Sequence, residues 1–172
     1  LIDTPGYFDF VGEVMQGIRV ADSAVILVPA KGGVAVGTEK SWDYASERGI
    51  PRMFFISKMD EENANFMEVY DQLVNTFSKG VIAFQLPIIE NGKFVGIVDV
   101  INMKAKKFDK DKLVDMEIPG SLNDKINEIK EALKEAVAET DEALMEKFFE
   151  GEEFTQEEIS RGIRAGILDG SI

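Results

Sequence analysis

A chain of 172 residues and 19.1 kDa, 45% apolar and 30% charged, has the make-up of one ordinary domain or two small ones with a buried core. It contains no Cys and no His, which excludes thiolate and imidazole metal sites, Cys nucleophiles, Ser-His-Asp triads and disulfides, and leaves only oxygen ligands of the kind Mg²⁺ or Ca²⁺ takes. The net charge of −13 is uneven, −2 over residues 1–60 and −11 over residues 61–172, so direct nucleic-acid binding by the second half is not expected.

Val11, Val14, Met15 and Ile18 fall at helical spacing and predict an amphipathic helix ending near Val20. Residues 23–28 form an unbroken aliphatic run, the pattern of a strand buried on both faces. Gly32-Gly33 interrupts it, residues 38–47 read as a second helix with Trp42 and Ala45 inward, and Pro51 opens another buried strand over 52–57. Strand–helix–strand at this spacing predicts a parallel sheet with crossover helices. Phe66, Val69, Tyr70, Leu73, Val74 and Phe77 continue a helix that Gly80 is placed to end.

The pattern then changes. Residues 81–86 and 94–100 are strand-like and flank Asn91-Gly92, a strong hairpin-turn signal, and residues 103–108 supply a third strand. From Ser121 onward the chain reads as helical. Ser121 with Asp124 and Thr155 with Glu158 match capping boxes. Leu122, Ile126, Ile129, Leu133 and Val137 make one apolar stripe, which Leu144 and Phe148 extend after a break at Thr140. A second unit of α+β type is therefore expected to begin near Val81. The longest apolar run, residues 24–30, is far shorter than a membrane helix needs. The chain opens with Leu1 and shows no charged-then-apolar leader, so no secretory signal is expected, and it reads as a piece of a larger cytoplasmic protein without a membrane segment.

Two motifs carry chemistry. Asp3-Thr4-Pro5-Gly6 follows what reads as a strand end, Leu1-Ile2; an Asp there can support Mg²⁺ through water, and Gly6 lets its backbone N–H approach a terminal phosphate. Lys58-Met59-Asp60 closes the strand 52–57. A carboxylate there can accept two parallel hydrogen bonds from one edge of guanine, with the aliphatic stem of Lys58 along the base plane. Each motif alone is also an ordinary turn. Together they lie at the carboxyl ends of parallel strands, where open α/β sheets bind ligands.

With these motifs in this order, the chain resembles the GTP-binding domain of elongation factor G, and most closely the elongation-factor-G-like paralogues with D-T-P-G-Y-F-D-F at residues 3–10. The likeness continues through Arg19-Val20-Ala21-Asp22-Ser23-Ala24, Gly37-Thr38-Glu39-Lys40, Gln85-Leu86-Pro87-Ile88 and Gly151-Glu152-Glu153-Phe154-Thr155. It implies an α/β fold: a partial P-loop GTPase sheet over 1–80, then the α+β insert subdomain of elongation factor G over 81–172. It implies that GTP or GDP is bound through Asp3, Gly6, Ser57, Lys58 and Asp60, with Mg²⁺ held at Asp3 through water. The implied partner is the ribosome, with the insert facing the ribosomal stalk protein. The acidic strip Glu128, Glu131, Glu135 and Glu139 is then the expected docking surface.

Three departures from the family pattern matter. Tyr7 stands where translational GTPases carry the His that orients the attacking water, and a phenol offers a hydrogen bond there in place of an imidazole base. Ser57 replaces the usual Asn and keeps one hydroxyl without the amide. No G-x-x-x-x-G-K-[ST] occurs, so the phosphate cradle is absent from these residues, and Gly170-Ser171-Ile172 falls on the run-up to the last guanine-contact loop. The expected function is a part of a ribosome-associated GTPase that is inactive and nucleotide-free by itself. It is also expected to self-associate through opened sheet edges. An acidic docking module and a ribosome-protection or release-factor GTPase are the alternatives.

Overall fold

The structure is a computed structural model describing residues 1–77, 80–110 and 112–172. It has two compact units, Leu1–Leu73 with Arg164–Ile172, and Val74–Ile163.

In the first unit a short 3-10 turn, Phe8–Phe10, leads into α1 (Val11–Val20), followed by β1 (Ala24–Pro29), α2 (Val36–Arg48), β2 (Arg52–Ser57) and α3 (Phe66–Thr76). β1 and β2 pair in parallel, Ala24 opposite Arg52 through Pro29 opposite Ser57, as strand–helix–strand spacing requires. On one face Ile26 and Val28 are buried, and Trp42 of α2 stacks on Phe54 at 5.2 Å while Arg52 lies over the same indole at 3.8 Å. α2 starts two residues before the expected Thr38. The buried Thr38 instead sits inside its first turn, its Oγ1 accepting from Ala35 N–H at 3.3 Å. Gly49 ends α2 in the left-handed conformation at φ 66°.

Two expectations fail here. The aliphatic runs are not covered on both faces: Val25, Leu27, Met53 and Phe55, paired across the two strands, are 53%, 65%, 54% and 54% exposed. α2 packs on one face only, and no described element screens the other. Leu1-Ile2 is not a strand end, because the sheet comprises β1 and β2 alone among the described residues and offers that segment no partner.

The second unit carries an antiparallel sheet, β3 (Gln85–Glu90), β4 (Lys93–Asp99), β5 (Lys104–Asp109) and β6 (Lys112–Met116), in sequential order. Asn91 (φ 50°) and Gly92 (φ 74°) form the two-residue turn of the first hairpin, with Glu90 opposite Lys93. The first strand lies later than residues 81–86. Pairing with Lys93–Asp99 fixes Leu86 opposite Val98 and Ile88 opposite Gly96, so Leu86, Ile88 and Val98 are buried together. The strand β6 is additional to the sequence reading. Helices α4 (Asn123–Ala138) and α5 (Glu142–Phe149) complete the unit, and α6 (Gln156–Asp169) begins in it and passes at Arg164 into the first. Ile126, Ile129, Leu133, Val137 and Leu144 are buried as the apolar stripe requires.

The capping box at Ser121 and Asp124 does not form. A 3-10 turn over Gly120–Leu122 occupies that position, and α4 starts without a side-chain cap. At the α4–α5 break Asp141 takes the cap, accepting from Ala143 N–H at 2.9 Å. The second box is reciprocal: Glu158 Oε2 accepts from Thr155 N–H at 2.8 Å, and Thr155 Oγ1 accepts from Glu158 N–H at 3.2 Å. Lys147 adds an ion pair from α5 at 2.6 Å. The Lys147 ammonium first, and the Thr155 N–H next, hold the Glu158 carboxyl at about 2 rather than 4.5. A depressed carboxylate contributes stability that is complete above its unfolded value and is lost as pH falls toward its folded one. Glu158→Gln is therefore expected to flatten the decline of melting temperature between about pH 5 and 2; parallel curves for the two proteins would remove Glu158 from the acid transition.

Candidate functional site

Asp3 and Gly6 lie in the extended segment before the 3-10 turn, and both are exposed. The segment is seated by Gly17, the one buried residue of α1. A Cβ there would come within 2.7 Å of Thr4 Cγ2 and 3.6 Å of Ile2 Cγ2, so only glycine lets residues 2–4 lie across the helix. Next along, Phe10 N–H bonds Tyr7 C=O at 3.0 Å, and Lys40 of α2 holds its ammonium 4.9 Å from the centre of the Phe8 ring. Tyr7 caps this turn through its backbone, and its side chain is 78% exposed. Space is open around Gly6, where an added Cβ would meet nothing within 4 Å. Packing inside the chain therefore does not account for a glycine at this position.

The second motif follows β2. Ser57 is the last residue of that strand; its hydroxyl points at Val28 C=O, 3.5 Å away, and its own C=O accepts from Ala30 N–H at 2.8 Å. Lys58 then adopts a left-handed backbone, φ 59°, uncommon for a side chain of its kind. The chain reverses over Lys58–Met59–Asp60–Glu61, closed by Glu61 N–H on Lys58 C=O at 3.2 Å, and a second turn follows with Ala64 N–H on Glu61 C=O at 3.2 Å. Asn65 brings the loop back, its N–H on Ala30 C=O at 3.0 Å, and its side chain opens α3 by accepting from Glu68 N–H at 3.3 Å. Both ends of the loop are thus tied to the end of β1. Asp60 sits exposed on its first turn, and among the described residues no donor engages its carboxylate. The loop after β1 is braced as well: Gln72 Oε1 of α3 accepts from Val34 N–H at 3.0 Å, and the positive φ of Gly33 brings the chain against that amide.

Ser57, the last residue of β2, and Lys58 and Asp60, in the turn that follows it, therefore lie together at the carboxyl end of that strand. Asp3, Gly6 and Tyr7 share another segment, and among the described residues no hydrogen bond or ion pair joins the two sets. A cavity of about 190 Å³, lined by Gly49, Pro51, Arg52 and Asp169 among others, lies at the opposite, amino end of β2 from Asp60. Burial pulls the Arg52 guanidinium below its ordinary pKa there, and stacking on Trp42 accounts for its placement.

The sequence profile of the elongation factor Tu GTP-binding domain matches residues 1–163. The chain belongs to that family. An elongation factor G-like protein of Thermotoga maritima is 40% identical over 131 residues, which are 76% of this chain and 19% of that protein. A crystal structure of a Thermus thermophilus protein matches 98% of this chain and 25% of its own, with 35% identity and a TM-score of 0.90. The chain spans about a fifth of the length of the curated relative it matches. As a member of the elongation factor Tu GTP-binding domain family it has the mixed α/β architecture expected, a parallel sheet with helices and a separate antiparallel sheet. The seat at Gly17, the Lys40 contact on Phe8 and the ion pair of Lys58 with Glu61 escaped the sequence reading; only the last left a trace there, as opposite charges three residues apart.

Proposed function

We propose that this chain is part of a translational GTPase of elongation factor G type, in which residues 1–80 belong to the nucleotide-binding core and residues 81–172 to an insert subdomain. The observation that carries this reading is the loop after β2, anchored at both ends, which presents a free Asp60 carboxylate beside Lys58 in a chain of the GTP-binding family. A guanine base offers two N–H groups on one edge. An ionised carboxylate accepts both in parallel, whereas adenine presents a different donor pattern there.

The residues present fit the base of GTP or GDP and one corner of its phosphate end. Asp60 and Lys58 would take the base, Ser57 the strand end beneath it, Gly6 the approach to the terminal phosphate, and Asp3 a Mg²⁺ ion through water. Bound Mg²⁺ would offset phosphate charge. Among the described residues no three acidic side chains gather as a metal cage, and this reading asks of Asp3 one contact, through water. With no G-x-x-x-x-G-K-[ST] in these residues, the 172-residue piece is not expected to retain nucleotide by itself.

Hydrolysis in the full-length protein turns on position 7. The exposed phenol of Tyr7 can offer a water a hydrogen bond where an imidazole would supply a base. Tyr7→His is expected to raise ribosome-stimulated GTP hydrolysis, followed as phosphate release with purified ribosomes. An unchanged or lower rate would assign Tyr7 a role of its own.

A docking role for the second unit is favoured by one observation. Glu128, Glu131 and Glu135 of α4 and Glu139 at its C-cap are all exposed, at i, i+3, i+7 and i+11; Lys125 pairs with Glu128 at 2.8 Å. The basic partner proposed is the ribosomal stalk protein, with association that slows as salt rises; a rate independent of salt would leave the glutamates as a solvated face. The uncovered apolar face of β1 and β2 supports self-association of the piece when it is separated from the rest of its protein.

A further inference from the structure

We propose that Glu61 is a positioning residue for the Asp60 carboxylate, setting how readily the site accepts guanine. The inference rests on the guanine-nucleotide reading above and extends it to a residue outside the K-x-D motif.

Three features of the turn converge on Glu61. Its N–H closes the turn that carries Asp60, and its C=O closes the next one. Its carboxylate reaches back across the turn to the Lys58 ammonium, with Oε1 3.2 Å from Nζ. Lys58 needs that restraint, because its left-handed backbone at φ 59° is less favourable for a non-glycine residue than the ordinary conformations it could relax into. With the strand end and Asn65 N–H fixing the loop at its bases, the Lys58–Glu61 ion pair is the side-chain brace across its tip. Asp60 lies inside this brace and needs a set direction, since two parallel hydrogen bonds to one base edge tolerate little rotation.

The brace is exposed, with side chains 60% and 42% accessible, so it contributes little to global stability. Its effect falls on the fraction of molecules whose turn is already in the binding geometry, and apparent affinity scales with that fraction. Removing it is expected to weaken binding about two- to fivefold, the range an exposed pair supports. The sign is diagnostic. Glu61 is an acid near the site of an anionic ligand, so a simple charge effect would make its neutralisation tighten binding. Loss of positioning weakens it.

The test is GDP binding by the full-length protein and its Glu61→Gln variant, by titration calorimetry with Mg²⁺ at about 50 mM and about 500 mM salt, with ADP as control. Melting temperature is measured alongside and is expected to be unchanged. The expected result is two- to fivefold weaker GDP binding by the variant at low salt, with the gap closing at high salt where the pair is screened. Equal or tighter binding by Glu61→Gln at low salt, or a gap that salt leaves unchanged, overturns the role given to Glu61. Failure of the unaltered protein to prefer GDP over ADP overturns instead the guanine-nucleotide reading beneath it.

Discussion

Asp60→Asn in the full-length protein is expected to lower affinity for GDP by at least about a hundredfold while leaving the fold intact. A hydrogen bond to a charged group contributes about 1.5–3 kcal/mol, and the substitution replaces an ionised double acceptor by an amide with one acceptor and one donor face. One guanine N–H then loses its acceptor and meets an N–H instead. The fold is spared because Asp60 is exposed, and the loop is held by backbone bonds and by Lys58 with Glu61. The same chemistry predicts a gain elsewhere. Xanthine carries a carbonyl where guanine carries its amino group, so the new amide donor can meet it and affinity for xanthosine diphosphate is expected to rise. Competition between GDP and xanthosine diphosphate measures both changes; a variant that keeps its GDP affinity would remove Asp60 from the base site.

Gly96→Ala is expected to be the most damaging small substitution in the second unit, lowering stability by about 2–4 kcal/mol. Gly96 sits in β4 opposite Lys107 of β5, and an added methyl would run into the backbone carbonyl of Lys106 and come within 2.8 Å of Lys107 Cα. Backbone cannot swing aside as a side chain does, so the two central strands must part and forfeit ladder hydrogen bonds. The shift in melting temperature is expected to be roughly 10–20 °C. Gly12→Ala provides the contrast: this glycine is within α1, a Cβ there meets nothing within 4 Å, and alanine is expected to be neutral or slightly stabilising. Similar melting temperatures for the two variants would show that β4 and β5 can adjust to a side chain at position 96.

The sequence pattern shows the elements whose physics is local. Asn91-Gly92 marks its hairpin because two consecutive positive φ values exclude most other residues. The stripe from Ile126 to Val137 marks α4 because one buried face needs apolar residues at helical spacing. Non-local features are hidden. The apolar run from Val81 to Leu86 reads as a strand by composition, but its register is decided by which residues meet β4, and pairing begins at Gln85. Val25, Leu27, Met53 and Phe55 read as core because aliphatic residues on both sides of a strand imply two covers, and this chain supplies one. For the candidate site, Asp3, Gly6, Lys58 and Asp60 are legible in the sequence as two motifs, each at the end of an apolar run. The left-handed Lys58 and the brace from Glu61 are not, since a backbone angle and a side-chain reach leave almost no trace in residue identity.

The most direct measurement is equilibrium binding of GDP and ADP, each with Mg²⁺, to the full-length protein. Affinity for GDP at least a hundredfold above that for ADP is the result expected of a site built around Asp60. Equal affinity for the two, or no binding of either, would contradict a guanine-nucleotide site in this protein.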